Sequence, residues 1–376
     1  MRQLRGCVAA LMAAGAPGCW KAEFAQLPTE ALAYSPTNID VPAGWLVTPI
    51  EVPLTCPDGE FSRYYILYPE EATQPLPVAV VYASGAFDYV YAADPQDPLG
   101  GAHYATPSRL SRDWSVLQIF TTLGMYPVTV EGETQEGTLI ARLVESGIAV
   151  ILPGNCWGDL YHNAQGAQDN QFTDPNGDYY FRNGRLSAEW AFKFLVDPVF
   201  TAQQRVELPI TPDPLRVYAI GLGEGGRAVG ELLNLDIDGD AAPDYHPVAV
   251  MVDSMVEDLT PWYADPARYA TIVSGLNRIF PAGAASADAT SLSAAPTLPE
   301  RVLYTFDPAE PLIPNGAHAR MLERLQGGAG VGWPVPVGRY PVSNAGDSAV
   351  ADAAIAYLVE GTAPPAVFTG ELDTGN

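Results

Sequence analysis

The chain has 376 residues, 48% of them hydrophobic, which is enough to bury a substantial core in one large domain or in one domain with a small cap. Acidic residues outnumber basic ones by 44 to 19, giving a net charge of −25. Because such a surface repels phosphate backbones and anionic lipid headgroups, the composition argues against nucleic-acid binding. The acidic residues are dispersed along the chain, which argues against a disordered acidic tail. A high-GC genome or a salty habitat would also explain the excess of acidic residues.

The N-terminus has the layout of an export signal. Two arginines precede a short apolar stretch at 7–16, which is too short to span a bilayer, since a span takes roughly 20 residues. The sequence Ala-Pro-Gly-Cys that ends at Cys19 is similar to a bacterial lipoprotein cleavage box, so a lipid anchor on Cys19 is the one membrane contact we expect. We therefore predict that 1–19 is a signal peptide of an exported protein, periplasmic, lipoprotein or extracellular. A frayed N-terminus is the alternative.

Only Cys56 and Cys156 remain beyond this segment. In an oxidising compartment they are candidates for one disulfide, and two buried thiols are the alternative. Residues 20–44 read as a linker, 45–361 as the folded domain and 362–376 as a flexible tail.

The start of the domain reads as strands. Between 45 and 69 two alternating runs flank a Pro-Asp-Gly turn at 57–59, which predicts a β-hairpin or meander. The nearly continuous apolar run at 77–85, bounded by proline and glycine, is typical of a strand buried on both faces, as in a parallel sheet.

Helical and strand patterns then alternate, interrupted by two long polar loops at 84–135 and 155–183. Helices are predicted at 137–147, 184–196, 317–326 and 349–361. Strands are predicted at 148–155, up to Asp253, up to Asp307, and at 335–343. Alternation of this kind favours an α/β domain with a mostly parallel sheet.

Near the middle of the chain, residues 216–230 read RVYAIGLGEGGRAVG, a strand, a glycine turn and the start of a helix. This segment, and the order of elements from Trp45 to Gly361, resemble the α/β-hydrolase superfamily, in particular its esterase and dipeptidyl-peptidase-like branches. The resemblance implies a three-layer α/β sandwich: a mostly parallel central sheet flanked by helices, preceded by an N-terminal β-hairpin or meander.

In that superfamily the chain order is nucleophile, acid, base, with the nucleophile in a G-x-S-x-G elbow. Gly223 stands at the nucleophile position, and Asp307, which follows a strand, matches the acid. At the histidine position the chain has Asp347, and none of the four histidines follows the predicted last strand. Glycine has no side chain, and an ionised aspartate is a poor proton shuttle near neutral pH. We therefore predict a pseudoenzyme. The alternative role for Asp307, in place of the triad acid, is to cap a helix or a turn.

Several residues are candidates for ligand contact. Ser84 and Gly85 match the loop that supplies an oxyanion donor in the superfamily, and Glu224 lies inside the elbow. An aromatic loop adds Trp157, Tyr161 and His162, since aromatic faces cover ligands at low entropic cost. The expected partner is a small molecule, a glycan or a peptide. The alternatives are that the aromatics cap the core, or that the protein is an esterase or peptidase with a non-standard nucleophile such as Ser84.

Two further motifs compete for the same region. The glycines at 221, 223 and 226 satisfy the dinucleotide pattern G-x-G-x-x-G, and Asp244 is the candidate ribose acid, although it lies in a polar insertion and the motif comes late in the chain. The acids of that insertion are spaced like the ligands of a calcium loop, with a solvated acidic turn as the alternative. These candidate calcium ligands are Asp236, Asp238, Asp240 and Asp244. No other cofactor is expected.

Overall fold

A computed structural model of the chain describes residues 44–55, 61–82, 129–130, 133–134, 139–153, 189–222, 225–236, 239, 243–253, 260–267, 291–308, 315–326, 330–335 and 348–365. Its main sheet has eight strands: β1 Trp45–Thr55, β2 Phe61–Pro69, β3 Leu76–Tyr82, β4 Ala149–Pro153, β5 Pro212–Leu222, β6 Ala249–Asp253, β7 Arg301–Phe306 and β8 Gly330–Pro334. Thr129–Val130 and Glu133–Thr134 form a separate small antiparallel pair.

The described helices are α1 Leu139–Glu145, α2 over 189–196, α3 Pro198–Gln203, α4 Gly225–Asn234, α5 Thr260–Ala264, α6 Ala319–Gln326 and α7 Ser348–Glu360. Two short 3-10 helices cover Leu292–Ala294 and Asn315–His318. Within the described ranges, no helix is both long enough and apolar enough to cross a membrane.

The strands lie in the order β1-β2-β4-β3-β5-β6-β7-β8. β2 pairs antiparallel with both β1 and β4, and the remaining pairs are parallel. The predicted N-terminal hairpin and the predicted mostly parallel sheet are therefore both confirmed.

Each strand contributes alternate residues to two cores, one on each face of the sheet. In β3, Val78 and Val80 face the first core, and Ala79 and Val81 face the second. The first core is covered by α2, α4 and α6, and the second by α1 and α7. Burial on both faces explains why the strands read as continuous apolar runs rather than as alternating ones.

The last described strand is one that the sequence patterns did not predict. The strand is Gly330–Pro334, upstream of the predicted 335–343, and residues 336–343 lie outside the described part of the chain. Glycine is depleted in strands, and this strand contains two glycines, so its sequence pattern does not predict a strand. Here glycine allows close helix packing: a Cβ at Gly332 would clash with the Leu322 side chain of α6.

The turn between β5 and α4 is the tightest approach of a helix to the sheet. A Cβ at Gly221 would lie 2.5 Å from the Gly226 backbone nitrogen and 2.7 Å from the Gly225 carbonyl carbon. Both neighbours are backbone atoms, so no side chain can rotate away to make room. Glycine at 221 is therefore required for α4 to begin against β5.

The second face is held together by an ion pair between its two helices. Arg142 of α1 donates from Nε and from a terminal nitrogen to the two carboxylate oxygens of Asp352 in α7, both at 2.7 Å. Arg142 also pairs with Glu145 at 2.7 Å. The paired carboxylates raise the pKa of the guanidinium above its usual range, against a smaller opposing effect of burial. A two-pronged contact of this kind fixes the angle between the helices.

A glycine-to-alanine series tests the packing of the sheet. We expect Gly221→Ala to lower the free energy of unfolding by about 3 kcal/mol or more, because the clash is with backbone. Gly332→Ala is expected to cost about 1–2 kcal/mol, since the Leu322 side chain can move. Gly316→Ala is the control, because its added methyl would lie 3.4 Å from Pro261, an ordinary contact. Urea denaturation measures all three, and a Gly221→Ala variant as stable as the control would contradict the packing described.

The ion pair is tested by removing one charge. Asp352→Asn should lower the free energy of unfolding by about 1 kcal/mol at low salt, and by less in 1 M NaCl, because salt screens half-exposed charges. The matched control is Glu71→Gln on the exposed surface, which should leave stability unchanged or slightly raised, since it reduces the repulsion within a chain of net charge −25. If both substitutions change the melting temperature equally, the Arg142–Asp352 pair makes no specific contribution to stability.

Candidate functional site

The connections of the sheet indicate where a ligand would bind. The chain passes from β3 to β4 through α1, on the second face, and from β4 to β5 through α2 and α3, on the first face. β4 and β5 thus lie on opposite sides of β3. In open α/β sheets, ligands bind outside the carboxyl ends of the strands at such a reversal of strand order. The candidate site is therefore the crevice where β3 ends at Tyr82 and β5 ends at Leu222.

One wall of this crevice is the predicted elbow. β5 ends at Leu222 and α4 begins at Gly225, so two residues, Gly223 and Glu224, make the whole connection. Those two residues lie outside the described part of the chain. Gly225 is buried, as is the apolar stripe of α4 that packs on the sheet. The strand end and the helix start that flank the predicted turn are therefore both present.

The other wall carries phenol groups held in their neutral form. Tyr82, the last residue of β3, pairs with Gly221 and is buried. Burial raises its pKa well above the usual range, and the neighbouring phenols of Tyr64 and Tyr245 raise it further. The pKa of Tyr245 is raised too, first by burial and then by Glu189, whose Oε1 accepts from the tyrosine hydroxyl at 3.1 Å.

Two aspartates lie at the carboxyl ends of neighbouring strands. Asp307 directly follows β7, as the sequence predicted for the acid position, and is buried. Asp253, the last residue of β6, is fully inaccessible, and Thr305 Oγ1 donates to its Oδ1 at 2.5 Å. Sequence reasoning did not select Asp253, although it ends an apolar strand just as Asp307 follows one, and that shared pattern was the available signal.

A third buried polar group, His318, lies near the same edge of the sheet. Its Nδ1 is 2.5 Å from the hydroxyl of Tyr304, and its ring packs against Phe306 with the ring centres 4.8 Å apart. Tyr304 belongs to the first core, so this pair is on the face that α6 covers. Burial lowers the pKa of His318 to about 4, which keeps the ring neutral at ordinary pH. His318 is thus a buried packing histidine.

Most of the other predicted site residues fall outside the described part of the chain. These are Gly223, Asp347, Ser84, Gly85, Glu224, Trp157, Tyr161, His162, Asp238 and Asp240, together with Cys19, Cys56 and Cys156. Convergence of Gly223, Asp307 and Asp347 on one pocket consequently stays a prediction, as does the disulfide.

The polar insertion after α4 is described in part. Asp236 Oδ1 accepts from the Gly239 backbone N–H at 2.7 Å, and Gly239 has φ +78°, so this carboxylate closes a turn. Within the described ranges, no cluster of three or more metal-ligating side chains occurs. The calcium hypothesis, which also needs Asp238 and Asp240, therefore stays a prediction.

The position of Asp244 bears on the dinucleotide hypothesis. Its backbone N–H donates to Leu235 O at 2.9 Å, just after α4 and before β6 begins at Ala249. This is the amino edge of the sheet, about 16 Å from the elbow by the length of a five-residue strand. A ribose acid must lie beside the phosphate-binding turn, at the carboxyl edge. Asp244 is therefore too far away for that role.

No protein-family model matches the sequence, and the comparison with curated proteins finds no match either. Solved structures similar to this chain include esterase B from Lactobacillus rhamnosis, with 12% identity over 90% of this chain and 88% of that one and a TM-score of 0.44. Carboxyl esterase 2 from the mycorrhizal fungus Tuber melanosporum has 14% identity over 86% of both chains and a TM-score of 0.47. Oligopeptidase B from Leishmania major has 14% identity over 86% of this chain and 38% of that one, with a TM-score of 0.45.

The fold itself rests on the chain's own topology rather than on these values. The strand order, the antiparallel second strand and the two-residue turn after β5 give this chain the fold of the α/β-hydrolases.

Proposed function

We propose that this chain is a hydrolase-fold protein without a Ser-His-Asp triad, whose role is to bind a ligand rather than to cleave it. The observation that carries the proposal is the glycine at position 223. A Cβ at Gly221 would overlap Gly225 and Gly226, and so close a start of the helix against the strand supports an elbow at 223 like that of an active hydrolase. The residue at the centre of that turn nevertheless has no side chain with which to attack a carbonyl.

The base position supports the same conclusion. β8 ends at Pro334 and α7 begins at Ser348, so the histidine of a triad would fall between them. Residues 335–347 contain no histidine, and Asp347 is the last residue before the helix. His318 is no substitute, because its Nδ1 is paired with Tyr304 and its pKa of about 4 makes it a weak base near pH 7.

The acid is the one triad position that retains a suitable side chain. Asp307 is buried directly after β7. In an active site its work would be to orient an imidazole and stabilise the imidazolium. Without that imidazole it contributes charge to the site but no proton transfer. Loss of nucleophile and base leaves only the residual rate enhancement that binding and oxyanion contacts provide.

The ligand that we propose is a small molecule, a glycan or a peptide, held in the crevice between the ends of β3 and β5. The described phenol at the end of β3, Tyr82, is buried and neutral, and the phenols of Tyr64 and Tyr245 lie near it in the first core. Neutral hydroxyl groups beside apolar rings suit uncharged polar ligands. The candidate contacts Ser84, Gly85 and Glu224 directly follow the strand ends that border it. We further propose that the protein meets this ligand at the cell envelope after export, by way of residues 1–19.

Restoring the missing groups tests the proposal. The wild-type protein should hydrolyse 4-nitrophenyl acetate no faster than a buffer blank. Gly223→Ser combined with Asp347→His should gain activity of roughly 10²-fold or more over wild type, the lower end of what a positioned general base contributes. The matched control is Gly223→Ser combined with Asp347→Asn, which has the hydroxyl but no base and should stay near the wild-type rate.

The contradicting result is turnover by the wild-type protein itself. Hydrolysis that co-purifies with the chain and is lost in Asp307→Asn would show that a working site exists and that Gly223 does not disable it. Loss in Ser84→Ala would identify the displaced nucleophile.

A further inference from the structure

His318 has one ring nitrogen that is buried without a hydrogen-bond partner. The residue is 5% exposed, and its Nδ1 is paired with the Tyr304 hydroxyl. Its Nε2 is inaccessible to solvent and has no partner among the described residues. An unpaired buried polar atom costs about 1–3 kcal/mol, so the structure tolerates the imidazole here only in its less demanding, neutral form.

The surroundings of the ring are aromatic and apolar. Tyr304 packs edge-on with ring centres 5.5 Å apart, Phe306 lies at 4.8 Å, and Ala317 and Met321 are buried beside it. Protonation would turn both ring nitrogens into donors. The Tyr304 oxygen can accept from one of them, and the second N–H would point into this apolar setting without an acceptor.

Within the described part of the chain, no charged or titratable group shifts the pKa of His318 measurably. The titratable groups of β7 on this side are Tyr304 and, directly after the strand, Asp307. Helix α5, which packs on the Asn315–His318 turn, adds Tyr263 and is followed by Asp265. On the histidine's own side, the Arg320 Nε donates to Ser293 Oγ at 2.9 Å, toward the 3-10 helix at Leu292–Ala294. Burial is the one cause that shifts the pKa of His318, to about 4.

We propose that His318 is a pH-responsive latch: protonation of its ring releases the Asn315–His318 turn and the start of α6 from β7. The proton comes from solvent and goes to whichever ring nitrogen lacks hydrogen, with no other bond formed or broken. When the ring is neutral, its hydrogen bond to Tyr304 and its contact with Phe306 hold the turn against the strand.

The pH window follows from the two states of the ring. In the open state the ring is solvated and has a pKa near 6.5, whereas in the closed state its pKa is about 4. The closed state therefore has its full stability above pH 6.5 and loses it as the pH falls toward 4. Linkage predicts that the opening equilibrium rises roughly 50-fold between pH 7 and pH 4.5.

The latch can be tested without any bound ligand. It acts on the first face of the sheet, where α6 packs on β8. The second face, with α1 and α7, has its own core and its own ion pair. This separation provides an internal reference, since α7 should keep its protection when the latch opens.

Hydrogen exchange, corrected for the intrinsic effect of pH, measures the opening directly. In the wild-type protein, exchange of amides within 315–326 should accelerate roughly 50-fold from pH 7 to pH 4.5, while amides within 348–360 stay within a few-fold. His318→Gln and His318→Phe cannot take up the proton, so both should lose the acceleration in 315–326.

Two results would overturn the proposal. One is the same acceleration in the His318 variants, which would assign the acid response to other groups. The other is equal acceleration of 315–326 and 348–360 in the wild type, which would indicate global acid unfolding. If His318→Phe fails to fold, His318→Gln decides, and the titration of the His318 ring protons by NMR gives the closed-state pKa independently.

Discussion

The contact between the end of β5 and the beginning of α4 is the constraint on which the rest of the structure depends. Gly221 lets the helix backbone approach the strand so closely that any side chain there would overlap Gly225 and Gly226. This contact sets the direction of α4 and therefore the shape of the first core. It also fixes a two-residue turn at the carboxyl edge, beside the reversal of strand order. In an active hydrolase the turn at this place holds a strained nucleophile, whereas in this sequence position 223 is glycine.

At the carboxyl edge, successive residues of a strand direct their polar groups to opposite faces of the sheet. Thr305 and Asp253 each follow a residue of the first core and are hydrogen-bonded to each other, whereas Tyr304 pairs with His318 on the face covered by α6. The buried phenols and the buried imidazole are held neutral, since burial raises the pKa of the phenol of Tyr82 and lowers the pKa of the imidazole of His318. Among the described residues of this edge, the phenols and the imidazole are thus neutral hydrogen-bonding groups, which suits the ligand-binding role proposed above.

Sequence patterns predicted most of the fold because each parallel strand is buried on both faces and reads as an unbroken apolar run. They failed at β8, where Gly330 and Gly332 serve the packing of α6 and leave no strand signal. For the site, a residue directly after a strand was enough to place Asp307 at the carboxyl edge. The same pattern did not distinguish Asp253, whose partner Thr305 lies 52 residues away in the chain and is brought alongside only by strand register. The role of His318 likewise depended on Tyr304, which periodicity alone does not reveal.

We propose that the hydrolase elbow of this chain has no nucleophile. Intact mass spectrometry after incubation with a fluorophosphonate, which modifies activated serines, tests this most directly. We expect an unchanged mass for the wild-type protein and a single adduct, located on residue 223, for Gly223→Ser combined with Asp347→His. A stoichiometric adduct on any serine of the wild-type chain would contradict the proposal, because that serine would have to be activated by a base.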